Sequence, residues 1–164
     1  MEYLSGRLPE LGRTFIQAES ELSAINIALG VSACGRRVLT ASSGPGMSLK
    51  QEGISYMNQY NYPCVILNVV RWGAGLGSLD GAQTDYLRST RGGGNGDYRD
   101  IVLCPSTVQE SVDLMYEAFD IAEKYRCIVE VMTDSGLGQM MEPCEYPEFR
   151  EITKCDWGLD GTYK

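Results

Sequence analysis

The chain has 164 residues, long enough for one domain with a core of its own, and its 43% hydrophobic and 22% charged content is ordinary for a globular protein. A net charge of −8, spread along the chain, leaves no basic stripe to neutralise phosphates and so argues against a nucleic-acid partner. Histidine is absent, which removes Ser-His-Asp and Cys-His nucleophile systems, His-based zinc sites and the commonest general base near neutral pH. Any catalysis must then rest on a carboxylate, a thiol, a lysine or a bound cofactor.

In chain order, the opening "MEYLSGRLPELG" reads as the tail of a helix ending at Gly6 or Gly12. Residues 14–17 form a weak strand candidate. Residues 21–33 are predicted helical, and no charged residue occurs between Leu22 and Cys34, which predicts burial on every face. A strand follows at 37–41 ("RVLTA"). Gly44-Pro45-Gly46 then places proline where a helix begins, and the helical pattern runs over 47–60. "CVILNVV" at 64–70, "IVLC" at 101–104 and "CIVEVMT" at 127–133 are further strands. Between the last two, residues 108–125 carry Val108, Val112, Met115, Ala118, Phe119 and Ala122 on one helix face. Ser106 or Thr107 offers an N-cap, with Gln109 or Glu110 completing a capping box.

The strands are near-continuous apolar runs, as in parallel sheets covered on both sides. The predicted fold is α/β, an open doubly wound parallel sheet with helices on both faces, in a single domain over residues 1–164. Both ends read as cut. No apolar run approaches the roughly 18 residues of a membrane span and no signal-peptide layout appears, so a cytoplasmic location is expected. The six cysteines (34, 64, 104, 127, 144 and 155) form no C-x-x-C pair. They read as free thiols, three of them in or beside apolar runs, rather than as a metal or Fe–S site.

In open α/β sheets ligands sit at the carboxyl ends of the strands. Three glycine-rich loops fall there: "SSGPGMS", "RWGAGLGSLDG" and "RGGGNGDYRD". None is a P-loop, and "GAGLG" falls one residue short of the dinucleotide fingerprint and lacks an immediate helix start. Arg71, at the end of a strand, reads equally as the anchor for a substrate carboxylate or as one half of a surface salt bridge. Glu21 precedes Ile25 and Ala28 on one helical row and borders the apolar body of its helix. Glu19 lies about 200° round the axis, outside or in the preceding turn. Both have a plain role as acids at the positive end of the helix dipole. Glu21 has a second one, as a partly desolvated acid sharing a proton with a ligand.

"FIQAESELSAINIALG", "LTASSGPGMSLKQEGISYM", "TRGGGNGDYRDIVLCPSTVQESVDLMYEAFDIAEKYR" and "GLGQMMEP" together resemble, in order and spacing, the α subunit of 2-oxoacid:ferredoxin oxidoreductases. The nearest type is the 2-oxoisovalerate (branched-chain) enzyme, with the 2-oxoglutarate enzymes next. The resemblance implies the pyrimidine-binding module of a thiamine diphosphate enzyme. It gives Glu21 the hydrogen bond to N1′ of the cofactor's aminopyrimidine, a proton exchange that lets the cofactor deprotonate its own thiazolium C2. It places Ser43, Gly44, Pro45 and Gly46 at the border of the cofactor pocket and Arg71 near the substrate carboxylate. It also implies a β subunit that supplies the diphosphate and Mg²⁺ motif, ferredoxin-like or γ subunits that carry the Fe–S clusters, and CoA as acyl acceptor. A domain without histidine or clustered cysteines suits such a division of labour. Departures are the absent "YPITPS"-like strand and loop, Arg71-Trp72-Gly73-Ala74-Gly75 in place of R-G-G-P-G, and Asn95 where the family commonly has histidine. Two other readings stay open: a non-catalytic module of the same family that homo-oligomerises, and a nucleotide-binding α/β domain using "GAGLG".

Overall fold

The computed structural model describes residues 1–152. Helix α1 (Glu2–Glu10) carries Gly6 in its interior and closes at Gly12, whose φ of +68° reverses the chain so that the Arg13 N–H donates to Leu8 O at 2.8 Å. Residues 14–17 are irregular rather than a strand, because no neighbouring strand runs beside them; Ile16 stays exposed. Helix α2 (Glu21–Ala33) leads to β1 (Leu39–Ser42), then α3 (Gly44–Leu49), α4 (Gln51–Gln59) and β2 (Cys64–Val70). The chain continues through α5 (Tyr86–Arg91), β3 (Ile101–Leu103), α6 (Val108–Tyr125), β4 (Ile128–Asp134) and α7 (Ser135–Gln139). No helix among the described residues is long and apolar enough to cross a membrane.

The four strands pair in parallel in the order β1-β2-β4-β3, with Thr40 beside Ile66 and Ile66 beside Glu130. Side chains alternate between the faces of such a sheet. Cys64, Ile66 and Ile128 point to one side, where they pack with Ile25 and Ala28 of α2, Met47 of α3, and Ile54 and Met57 of α4. Val65, Val129 and Val131 point to the other and meet Ala118 and Ala122 of α6. Helices therefore cover both faces, as the apolar strand runs predict. α6 begins at Thr107, whose side chain accepts from the Glu110 N–H, while Glu110 Oε2 accepts from the Ser106 N–H at 2.7 Å.

Several boundaries and burials differ from expectation, β3 ending one residue early and β4 lying one residue late among them. β1 starts two residues late because Arg37 is held by Asp120 and Glu123 of α6 before the strand begins. The helix expected over 47–60 starts at Gly44 and is divided at Lys50 into α3 and α4. α2 is not buried all round: Ile25, Ala28 and Ser32 face the core, whereas Leu22 and Ile27 are exposed. Cys104 is exposed although it ends an apolar run; Cys64 is buried, and all five described cysteines are free thiols, Cys155 lying outside the described residues.

Beneath α5 lies a polar cluster that interrupts the apolar face. The Glu130 carboxylate, 2% exposed, accepts from Ser89 Oγ at 2.7 Å and Asn68 Nδ2 at 2.8 Å and stands 3.6 Å from Arg88. Asn68 Nδ2 and Arg88 also reach Asp85, at 3.1 and 2.8 Å. These bonds tie the loop after β2 to the sheet. Nearby, burial pushes the Asp100 carboxyl up to about 7, against the opposing hydrogen bond from Asn58 Nδ2 at 2.7 Å. The folded chain thus holds a proton on Asp100 that the unfolded chain has released, so stability falls as pH rises from the ordinary carboxylate range to about 7 and levels off above it. Asp100→Asn keeps the acceptor for Asn58 and removes that slope. Its unfolding free energy from urea titration should exceed wild type at about pH 8 by about 2 kcal/mol, and match it more closely near pH 5.

Candidate functional site at the carboxyl ends of β1 and β2

Glu21 is the first residue of α2, preceded by Ser20 in extended conformation. Neither Ser20 nor Glu21 caps the helix through its side chain, and no hydrogen bond or ion pair among the described residues engages the Glu21 carboxylate. The side chain lies instead against the start of α3. A Cβ added to Gly46 would come within 2.8 Å of both Glu21 Cγ and Glu21 Oε1 and would run into Ser42 Oγ. Glycine at 46 is thus the condition for a carboxylate in this place. Glu19 sits in the exposed bend before the helix, as its angular offset predicts.

Arg71 follows the last residue of β2 and folds back over the same loop. Its Nε donates to Ser43 Oγ at 3.0 Å and its Nη1 to Leu76 O at 3.2 Å. Gly44, with φ of +45°, leaves room for it, since a Cβ there would stand 2.9 Å from Arg71 Cδ. No ion pair among the described residues includes Arg71, so of its two readings the salt bridge is not the one adopted. The following "GAGLG" closes on itself: Trp72 and Ser78 exchange backbone hydrogen bonds, and the next helix starts only at Tyr86. It does not present a helix N-terminus in the manner of a dinucleotide fingerprint.

The structure thus gathers Glu21, Ser43, Gly44, Gly46 and Arg71 at one end of the sheet, with Pro45 exposed in the first turn of α3. Asn95 is elsewhere, in a groove lined by Ser55, Asn58, Gln59 and Tyr98 that includes none of these residues. Sequence reasoning missed Lys50, which is fully buried between α3 and α4, and the Asn68–Glu130 pair. A signal for the pair existed: each is the single polar residue inside an otherwise apolar strand run. Lys50 gave one as well: three residues after Met47, four before Ile54 and seven before Met57, it falls on the apolar face of the helix expected over 47–60.

The parallel sheet with helices on both faces is an α/β domain of the doubly wound class, and Glu21 and Arg71, neither in an ion pair among the described residues, lie at the end of the sheet where that class binds ligands. A family model described as pyruvate flavodoxin/ferredoxin oxidoreductase, thiamine diphosphate-binding, matches residues 1–157. The chain belongs to that family. It is 56% identical over 140 residues to the ketoisovalerate oxidoreductase subunit VorB of Methanothermobacter thermautotrophicus, covering 85% of this chain and 40% of that one. The 2-oxoglutarate synthase subunit KorA of Methanocaldococcus jannaschii is 40% identical over 141 residues, 86% of this chain and 38% of that one. Among solved structures, the 2-oxoglutarate:ferredoxin oxidoreductase from Magnetococcus marinus, with 2-oxoglutarate, coenzyme A and succinyl-CoA bound, superposes with a TM-score of 0.79 at 33% identity. That match covers 83% of this chain and 24% of that chain. The chain spans about 40% of the length of the curated relatives it matches.

Proposed function

We propose that the chain forms part of a CoA-acylating 2-oxoacid:ferredoxin oxidoreductase, oxidising a branched 2-oxoacid of the 2-oxoisovalerate type, with Glu21 in contact with the pyrimidine of thiamine diphosphate. The observation that carries this reading is the Glu21 carboxylate, lying against Gly46 and satisfied by no donor among the described residues. The likeness to ketoisovalerate oxidoreductase subunits favours the branched substrate.

The residues present fit the cofactor. An acceptor without a partner suits a ring nitrogen that gains a proton, and the Ser43, Gly44, Pro45 and Gly46 turn supplies a wall that a side chain at 46 would fill. When bound, thiamine diphosphate supplies the electron sink needed to break the bond between the carboxylate and the carbonyl carbon of a 2-oxoacid. Glu21 would hold the pyrimidine at N1′ and exchange a proton there through its carboxylate. Arg71, its guanidinium steadied by Ser43 and Leu76, pairs with the substrate carboxylate. On this reading a β subunit would contribute the diphosphate and Mg²⁺ contacts, and γ or ferredoxin-like subunits would hold the Fe–S clusters that take up the electrons.

The test is kinetic. In the assembled enzyme, Arg71→Met should raise KM for the 2-oxoacid by at least about tenfold with a smaller change in kcat, because a charge-assisted contact is lost in the ground state as well as the transition state. An unchanged KM removes Arg71 from the substrate. A preference for 2-oxoglutarate over 2-oxoisovalerate overturns the branched-chain assignment.

A further inference from the structure

Lys50 is fully buried, and a buried ammonium ordinarily has a carboxylate beside it. This one does not. Its Nζ meets Thr40 Oγ1 at 2.5 Å and Ala41 O at 3.4 Å, both uncharged, and no ion pair among the described residues includes it. The side chain descends from the break between α3 and α4 onto β1, one and two residues before Ser42.

The same short piece of chain touches Glu21. The Lys50 N–H donates to Gly46 O at 3.2 Å, and it is Gly46 that the Glu21 side chain lies against, together with Ser42. Two oppositely charged groups, neither in an ion pair among the described residues, therefore flank the Ser42–Gly46 turn. Burial pushes the Lys50 ammonium down from its ordinary value, and the groups whose negative charge opposes this are Cys64 on β2 and Glu21 on α2. Burial also pushes the Cys64 thiol up to about 12, so near neutral pH it carries no charge. Glu21 is left as the anion that answers Lys50. Arg71, beyond Gly44 and bonded to Ser43, is the other cation at this turn.

We propose that Lys50 is a positioning residue for Glu21: its buried ammonium, delivered past Gly46 onto β1, supplies the fixed positive charge that the Glu21 carboxylate faces from inside the protein. The inference rests on the reading that Glu21 meets the cofactor pyrimidine. A carboxylate with a cation behind it holds a ligand proton less tightly, and so returns it more readily, than one backed by apolar side chains. Lys50 shares one buried helical face with Met47, Ile54 and Met57, and this placement carries its side chain onto β1 rather than to the surface.

The experiment titrates the near-ultraviolet circular dichroism of bound thiamine diphosphate with pH in the assembled enzyme. Wild type, Lys50→Met, Lys50→Arg and Glu21→Gln are compared. Lys50→Met should move the midpoint of that signal upward by about one pH unit, and Lys50→Arg, which keeps the charge, should return most of it. A midpoint left in place by Lys50→Met overturns the proposal, as does an arginine variant shifted as far as the methionine one, since loss of packing alone would explain both. Glu21→Gln separates the two layers of the argument. If it abolishes the titration while Lys50→Met changes nothing, only the role of Lys50 falls; if it also leaves signal and midpoint intact, the cofactor contact of Glu21 falls. Should Lys50→Met fail to assemble, Lys50→Gln, which retains a donor for Thr40, serves as the neutral variant under the same criteria.

Discussion

Glu21→Gln should lower 2-oxoacid-dependent ferredoxin reduction by the assembled enzyme by about two to four orders of magnitude, the range of a lost general acid–base group. The substitution preserves shape and hydrogen-bonding reach and removes only the capacity to exchange a proton. It should scarcely affect folding. The carboxylate accepts no hydrogen bond from the described residues and caps nothing, so what the fold loses is a first-turn acid near the helix dipole, worth about 0.3–1 kcal/mol. A large loss of rate with little loss of thermal stability therefore distinguishes a chemical role from the plain dipole role. Parallel losses of rate and stability, or an undiminished rate, would return Glu21 to the bland reading that Glu19 keeps.

Gly46→Ala should produce a similar separation by another route. The new methyl group meets Ser42 Oγ and the Cγ and Oε1 of Glu21, all side-chain atoms that can move aside. Overpacking of this kind costs about 1–3 kcal/mol, part of which is offset by the better helix propensity of alanine within α3. The relief comes from displacing Glu21, and a displacement of about 1 Å in a reacting group lowers rate by on the order of a hundredfold. Calorimetry should find a modest drop in Tm and the ferredoxin assay a drop in activity far larger than the stability change explains. A variant that is as active as wild type would show that Glu21 does not work from the position described here.

Much of this site was legible before the fold. The absence of histidine and the charge-free helix drew attention to Glu19 and Glu21, and the family resemblance separated Glu21 from Glu19; "SSGPG" and Arg71 stood out by their place after strand runs. The structure adds what spacing does not carry, namely that Arg71 folds back onto Ser43 and that Glu21 and Gly46 are in close approach. Strand β2 was bounded to the residue because an apolar run between Pro63 and Arg71 admits one placement. β1 was misplaced because Arg37 belongs to an ion-pair cluster with α6, more than eighty residues away, which local pattern does not reveal. α2 was misjudged for a related reason. Absence of charge states that a helix face tolerates an apolar environment, not that this chain supplies one, and Leu22 and Ile27 remain exposed. Lys50, Asn68 and Glu130 break the rule that buried strands and helix seams are apolar. Such exceptions collect at functional sites and at the contacts that hold loops to them, where they are specified by tertiary partners rather than by neighbours in sequence.

The most direct measurement is the rate at which the thiazolium C2 proton of bound thiamine diphosphate exchanges with deuterium in the assembled enzyme, compared between wild type and Glu21→Gln. It reports the proton exchange assigned to Glu21 without involving 2-oxoacid, CoA or ferredoxin. The account predicts fast exchange in wild type and exchange slowed by about a hundredfold or more in the variant; equal rates in the two proteins would contradict it.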